Sequence, residues 1–180
     1  MGRALFRSHE REDSDEDVSV VVLGKDDPLA YPMLVGHLAA AGPGLLVDPY
    51  LQLDELHMVV VSTGLTRILV SGKPRHKRVV ASMRAYLDSA SLPRRVEARA
   101  STALHDRVLI ADAEEQVLTL GTSLNGVGKV TTVLSPMPEK AREVLRADYA
   151  QLWNDAELVG PPTRTMQEDE AEREDGPAAK

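Results

Sequence analysis

A chain of 180 residues is long enough for one domain with a sizeable core and flanking segments. It contains no cysteine, which excludes disulfides, thiolate metal centres and a cysteine nucleophile, and fits a reducing, cytoplasmic setting. The net charge of −7 sits at the ends: residues 1–17 and 164–180 each carry six acidic and three basic side chains, leaving sixteen acidic and fifteen basic in 18–163.

The N-terminal segment 1–17 reads as acidic and disordered, and lacks the apolar stretch of a signal peptide. The folded domain is expected over 18–158, followed by a second disordered acidic tail, 159–180. No apolar run approaches the length of a membrane span. Aromatic residues make up 3% of the chain, so Val, Leu, Ile, Met and Ala must fill the core. "VSVVVL" (18–23) predicts a first strand, "YPMLVGHLAAAG" (31–42) a short helix ended by Gly42, and "GLLV" a strand that stops at Asp48-Pro49-Tyr50. Residues 51–62 lean helical, and "TRILVS" (66–71) is a second strand of the buried type. Val79, Val80, Met83, Leu87 and Ala90 recur at helical spacing over 77–90. "RRVEARA" (94–100) alternates as a strand does; strands at 107–111, 117–120 and 129–135 follow. Pro136 and Pro138 then stop the sheet, and a last helix is expected from Glu139 to about Glu157. This order predicts an α/β fold, a mixed sheet flanked by helices on both faces.

The chemistry-bearing residues gather around one pair of strands. In "LHDRVLIADAEEQVLTLGTSLNGVGKV" (104–130), His105 and Arg107 are two apart and share a strand face, as do Ser123 and Asn125 beyond the next strand. Antiparallel pairing around "DAEEQ" would set the exit of the second strand beside the entrance of the first. An imidazole, a guanidinium, a hydroxyl and an amide would then converge on a Gly-rich turn. The imidazole can act as nucleophile or general acid, and the others can stabilise an anionic oxygen. A phosphate or phosphodiester suits such a set.

These residues resemble a known pattern. The phospholipase D superfamily carries H-x-K-x4-D followed by a Gly-Ser/Thr-rich turn with an Asn. Here His105-Asp106-Arg107, four residues and Asp112 follow it with Arg in place of Lys, and Gly121-Thr122-Ser123-Leu124-Asn125 resembles the turn. The text is similar to a single-motif branch in which "HDR" opens the motif and "G-x-S-L" follows; "LLVDPYL" resembles that branch's early strand. The resemblance implies a phospholipase D-like half domain with metal-independent phosphodiester chemistry, no cofactor and no metal. His105 would be the nucleophile, Arg107 the phosphate binder and Asp112 the carboxylate supporting His105. Thr122, Ser123 and Asn125 would contact phosphate, and Asp48 and Tyr50 would line the pocket. A single-motif member borrows its second histidine from an identical chain, so the resemblance also implies a homodimer with a composite site. Nucleic acid is the favoured substrate. The alternative is a binding or assembly module that keeps the pocket without turnover, recognises a phosphate-containing ligand or a protein, and works alone or in a larger assembly. A lipid-headgroup binder would need an exposed amphipathic basic helix, which the sequence lacks.

Each motif also has a plainer reading. His105-Asp106-Arg107 can be a solvated strand entrance with an internal Asp–Arg pair, and Asp48-Pro49-Tyr50 a simple turn. "NGVGK" (125–129) leads into a strand, which favours a hairpin turn over a nucleotide loop. "KPRHKR" (73–78) could track a nucleic-acid backbone, but its place before an amphipathic helix favours a solvated helix entrance. His37, His57 and His76 lack partners at metal-ligand spacing, so no metal site is assigned.

Overall fold

In the computed structural model, which describes residues 19–89, 92–113 and 116–161, the most apolar tetrapeptides become the centre of the sheet. Strands β2 (Gly44–Val47) and β5 (Val108–Ala111) are buried throughout, as β3 (Arg67–Ser71) is beyond its first residue. Continuous burial is the mark of strands covered on both faces. The remaining strands are β1 (Val21–Leu23), β4 (Glu97–Ser101), β6 (Val117–Leu120), β7 (Thr132–Pro136) and β8 (Glu157–Gly160). The helices are α1 (Ala30–Ala40), α2 (Leu53–Ser62), α3 (Lys77–Leu87) and α4 (Glu139–Asp155). Among the described residues, the eight strands form one sheet in the order β1-β7-β6-β5-β2-β3-β4-β8. Parallel β2, β3 and β4 are linked by α2 and α3; β5 joins β2 antiparallel, and β6 and β7 continue antiparallel outward.

Alternation along the strands separates two cores. Leu46, Ile68, Val70, Leu109 and Ala111 pack with Leu34 and Leu38 of α1, Leu56 and Val59 of α2, and Met83 and Leu87 of α3. Leu45, Val47, Leu69, Val108 and Ile110 face the other way, onto Tyr149 and Trp153 of α4. Full burial of one such aliphatic side chain contributes about 1.5–3 kcal/mol, so both layers hold the sheet between them. The fold is therefore α/β with a mixed sheet and helices on both faces, as the sequence predicts.

Local chemistry sets the helix boundaries. Asp27 accepts the Leu29 N–H on its carboxylate (2.9 Å) at the start of α1, and Gly42, at φ +67°, closes it in the left-handed conformation. At the far end of α2, Arg94 donates to the carbonyls of Val59 (3.0 Å) and Val60 (3.1 Å), and also to that of Leu65. A guanidinium there serves the Val60 carbonyl in the last turn, adds to the bonds that the Val59 carbonyl already accepts from Thr63, and complements the helix dipole. This use of Arg94 explains why β4 begins at Glu97, later than the alternation of 94–100 suggests.

Two differences from the sequence reading lie at the C-terminal end. Helix α4 stops at Asp155, and Glu157–Gly160 forms β8, antiparallel to β4 with a register shift between Ala98 and Arg99. The expected domain boundary at 158 falls inside this strand. "ELVG" is too short and too mixed to signal a strand; pairing with β4 is what makes it one. The expected segment 1–17, and the tail beyond residue 161, lie outside the described residues.

Candidate functional site

Strand directions bring the candidate residues to one edge of the sheet. Val47, the last residue of β2, pairs with Val108, the first of β5, and Val108 pairs with Thr119 near the end of β6. His105-Asp106-Arg107 enters β5 at this edge, Asp48-Pro49-Tyr50 leaves β2 there, and Gly121–Asn125 leaves β6 there. The ladder runs on to Arg107, whose carbonyl accepts the Leu120 N–H at 3.0 Å. The C-terminal ends of β3 and β4 share the edge. Beside β2 the sheet changes from parallel to antiparallel, and crevices for ligands form where strand ends of this kind diverge.

Asp48 organises the edge. It is fully buried, and its Oδ2 accepts the Ser123 hydroxyl (2.6 Å) and the Leu124 N–H (2.8 Å) while Oδ1 accepts the Tyr50 N–H (2.9 Å). Burial pushes its carboxyl above the usual carboxylate range; the bonds from Ser123, Leu124 and Tyr50 and the nearby Arg107 pull the other way. One carboxylate thus ties the β2 exit to the β6 exit. Ser123, expected to contact phosphate, is instead turned inward, 4% exposed, with its hydroxyl given to Asp48. The plain reading of Asp48-Pro49-Tyr50 as a turn is accurate for the backbone and misses this fastening.

Arg107 lies on Tyr50, its guanidinium carbon 5.1 Å from the ring centroid, and its Nε is buried with no hydrogen-bond partner among the described residues. No ion pair joins Asp106 and Arg107 among the described residues; Asp106 instead contributes to the field at Tyr149 on the α4 side. His105 is exposed, and among the described residues no carboxylate is hydrogen-bonded to it. Thr122 is half-buried and packed beside Gly126, where an added Cβ would run into its Oγ1. Asn125 is half-buried in a 3-10 turn, Leu124–Gly126, within the hairpin connection between β6 and β7.

Asp112 requires a correction. It follows the last residue of β5, so the length of the strand separates it from His105, and it is ion-paired with Arg67 at the start of β3. Its backbone N–H donates to Pro43 O at 2.8 Å, at the edge opposite the site. The spacing that resembles the motif is thus retained, while support of His105 by this carboxylate is ruled out by the direction of the strand.

Two residues that the sequence leaves among a solvated helix entrance lie at this edge, against Tyr50. Pro74–His76 is a 3-10 turn that does lead into α3, yet Arg75 Nη2 donates to Tyr50 Oη at 3.2 Å and its guanidinium carbon lies 5.5 Å from the Tyr50 centroid. Arg75 Nε donates to His76 Nε2 at 3.1 Å, and the His76 ring meets Tyr50 edge-on at 5.6 Å. Burial, then Arg75 and Lys73, hold the His76 pKa below its ordinary value, consistent with a neutral ring accepting from Arg75. The available signal was position: "GKPRH" follows a buried strand directly, as "DPY" follows β2. Among the described residues no group of three or more His, Asp or Glu converges as metal ligands would, and no helix is long and apolar enough to cross a membrane.

No family model matches the chain, and no curated protein matches it in sequence. Solved structures do match. The chain has a phospholipase D-like fold: it is similar to the crystal structure of Nuc from Salmonella typhimurium, a phospholipase D family member, with a TM-score of 0.57 over 78% of this chain and 97% of that one. NucT from Helicobacter pylori is similar with a TM-score of 0.50 over 78% and 98% of the two chains. Identities are 15% and 14%. TrmBL2, an archaeal chromatin protein, matches over 80% of this chain and 55% of its own, at 19% identity and a TM-score of 0.47.

Proposed function

We propose that the chain is a metal-independent phosphodiesterase, with nucleic acid as substrate and a site completed across a homodimer. The observation that carries this reading is the meeting, at one edge of a phospholipase D-like sheet, of an exposed imidazole and a guanidinium with a buried, unpartnered Nε. Arg107 would hold non-bridging oxygens of the phosphate, and Asn125 and Thr122 would line the turn beside it. His105 would attack phosphorus, forming an N–P bond as the P–O bond to the leaving group breaks. The leaving oxygen would take a proton from His105 of the partner subunit. Water, deprotonated by that same imidazole, would then cleave the N–P bond, releasing a phosphomonoester and restoring His105. Arg serves here in place of Lys because its fork can hold two phosphate oxygens at once.

A second reading has its own support: no carboxylate orients His105 among the described residues, as a binding module without turnover would allow. Cleavage of single- and double-stranded DNA and RNA in excess EDTA separates the two. The expected result is cleavage by wild type that falls at least about 1000-fold in His105→Ala, the scale of losing a covalent nucleophile. Undiminished cleavage in the variant would refute a nucleophilic role. No cleavage by folded wild type, with affinity lost in Arg107→Ala and kept in His105→Ala, would establish the binding module instead.

A further inference from the structure

Tyr50 is approached by two guanidiniums, Arg107 at 5.1 Å and Arg75 at 5.5 Å from its centroid. Cation–π attraction favours each contact singly, yet two like charges against one ring also repel. Among the described residues no carboxylate forms an ion pair with either guanidinium. The partners of Arg75 are a phenol oxygen and a neutral imidazole, both uncharged. Asp48 lies close enough to act on Arg107, but its oxygens already accept three hydrogen bonds. Lys73 adds another positive charge beside His76. The exits of β2 and β3 and the entrance of β5 thus hold a cationic cluster around one aromatic ring, with buried Asp48 acting on Arg107 and no ion-paired carboxylate on Arg75 among the described residues. Arg75 is exposed and Tyr50 is 38% exposed, so the cluster is open to a ligand.

We infer that Arg75, positioned by Tyr50 and His76, forms a second phosphate subsite for the phosphate adjacent to the one at His105 and Arg107. The inference rests on the phosphodiester reading above and deepens it: the preferred ligand carries at least two consecutive phosphodiesters, as a nucleic-acid strand does. Arg75 is separate from the proposed bond-breaking step, and its role is to select polymer over isolated diester. A membrane of anionic lipid also presents clustered phosphates. The site favours a strand, because its guanidiniums lie against an aromatic ring between strand ends, and the neighbouring basic helix α3 buries its apolar face, Met83 and Leu87, in the core and does not offer it to a lipid surface.

The test uses the full chain carrying His105→Ala, so that ligands stay intact, and measures affinity for a thymidine dinucleotide (one phosphodiester) and a thymidine trinucleotide (two). The trinucleotide should bind roughly tenfold more tightly, the scale of one added charge-assisted contact. Adding Arg75→Ala should remove most of that ratio and make trinucleotide binding less sensitive to salt. Arg75→Gln provides the same reading should the alanine variant unfold, with thermal melting as the check. A ratio unchanged by either folded variant would overturn the subsite, as would equal loss for both ligands. Binding confined to phosphatidylserine vesicles would overturn it in favour of a membrane. Loss of the length preference on Arg75→Ala, together with a wild-type chain that proves unable to cleave, would sink the hydrolytic reading and leave the subsite standing.

Discussion

Asp48 shows how a single buried charge can fasten two strand ends at the edge of the candidate site. Its three hydrogen bonds, two from the β6 exit and one from Tyr50, offset the cost of burying a carboxylate. Asp48→Ala would leave the Ser123 hydroxyl and Leu124 N–H without their acceptor in a dry environment. The expected loss of stability is about 3 kcal/mol by urea unfolding, with Thr122 and Asn125 released from their present positions. A loss under about 0.5 kcal/mol, of the kind seen for ordinary surface substitutions, would contradict this role. At this scale the sequence was informative about residue type and less so about partner. The placement of His105, Arg107, Asp48 and Tyr50 at strand ends was legible, because short spacings and strand boundaries mark those positions. The Ser123–Asp48 bond was not legible: it joins residues 75 apart, and only the order of the strands brings them into contact. Asp112 misled for the opposite reason. Its spacing from His105 fits the resembling motif, but four strand residues carry it to the other edge, beside Arg67.

At the scale of elements, the apolar runs of β2, β3 and β5 were readable because burial on both faces removes polar alternation. Helix α4 was readable from its stripe, and its docking depends on the protein's two buried aromatic side chains among the described residues, Tyr149 and Trp153. Arg99 fastens the same end, donating to the Trp153 carbonyl at 3.0 Å with its guanidinium carbon 4.9 Å from the ring. Strand β8 was not readable, since its four residues acquire their conformation from β4. Tyr149 offers a pH test of α4 packing. Burial first, then Asp106 and Asp148, push its phenol up to about 12. Its native form therefore keeps its proton between about pH 10 and pH 12, where the unfolded chain loses it, so this group's contribution to stability falls as pH rises through that interval. Unfolding midpoints in urea at pH 9, 10 and 11 should decline more steeply in wild type than in Tyr149→Phe. Parallel declines would contradict a neutral, buried phenol.

For the whole molecule, topology turns separate loops into one site. Three parallel strands point their C-terminal ends at the same edge, and antiparallel β5 and β6 return His105–Arg107 and Gly121–Asn125 to it. Basic residues that look like ordinary helix-entrance solvation in the sequence, Arg75 and His76, join that edge because β3 ends there. The fold was legible as an α/β class and as a resemblance, and solved structures at 15% and 14% identity carry the same architecture. The covalent route through His105 is the central claim, and the configuration at phosphorus tests it most directly. Hydrolysis of an oligonucleotide bearing one phosphorothioate of known configuration, in isotopically labelled water and excess EDTA, should proceed with overall retention, because two in-line displacements each invert the centre. Inversion would mean direct attack by water and would contradict a phosphohistidine at His105.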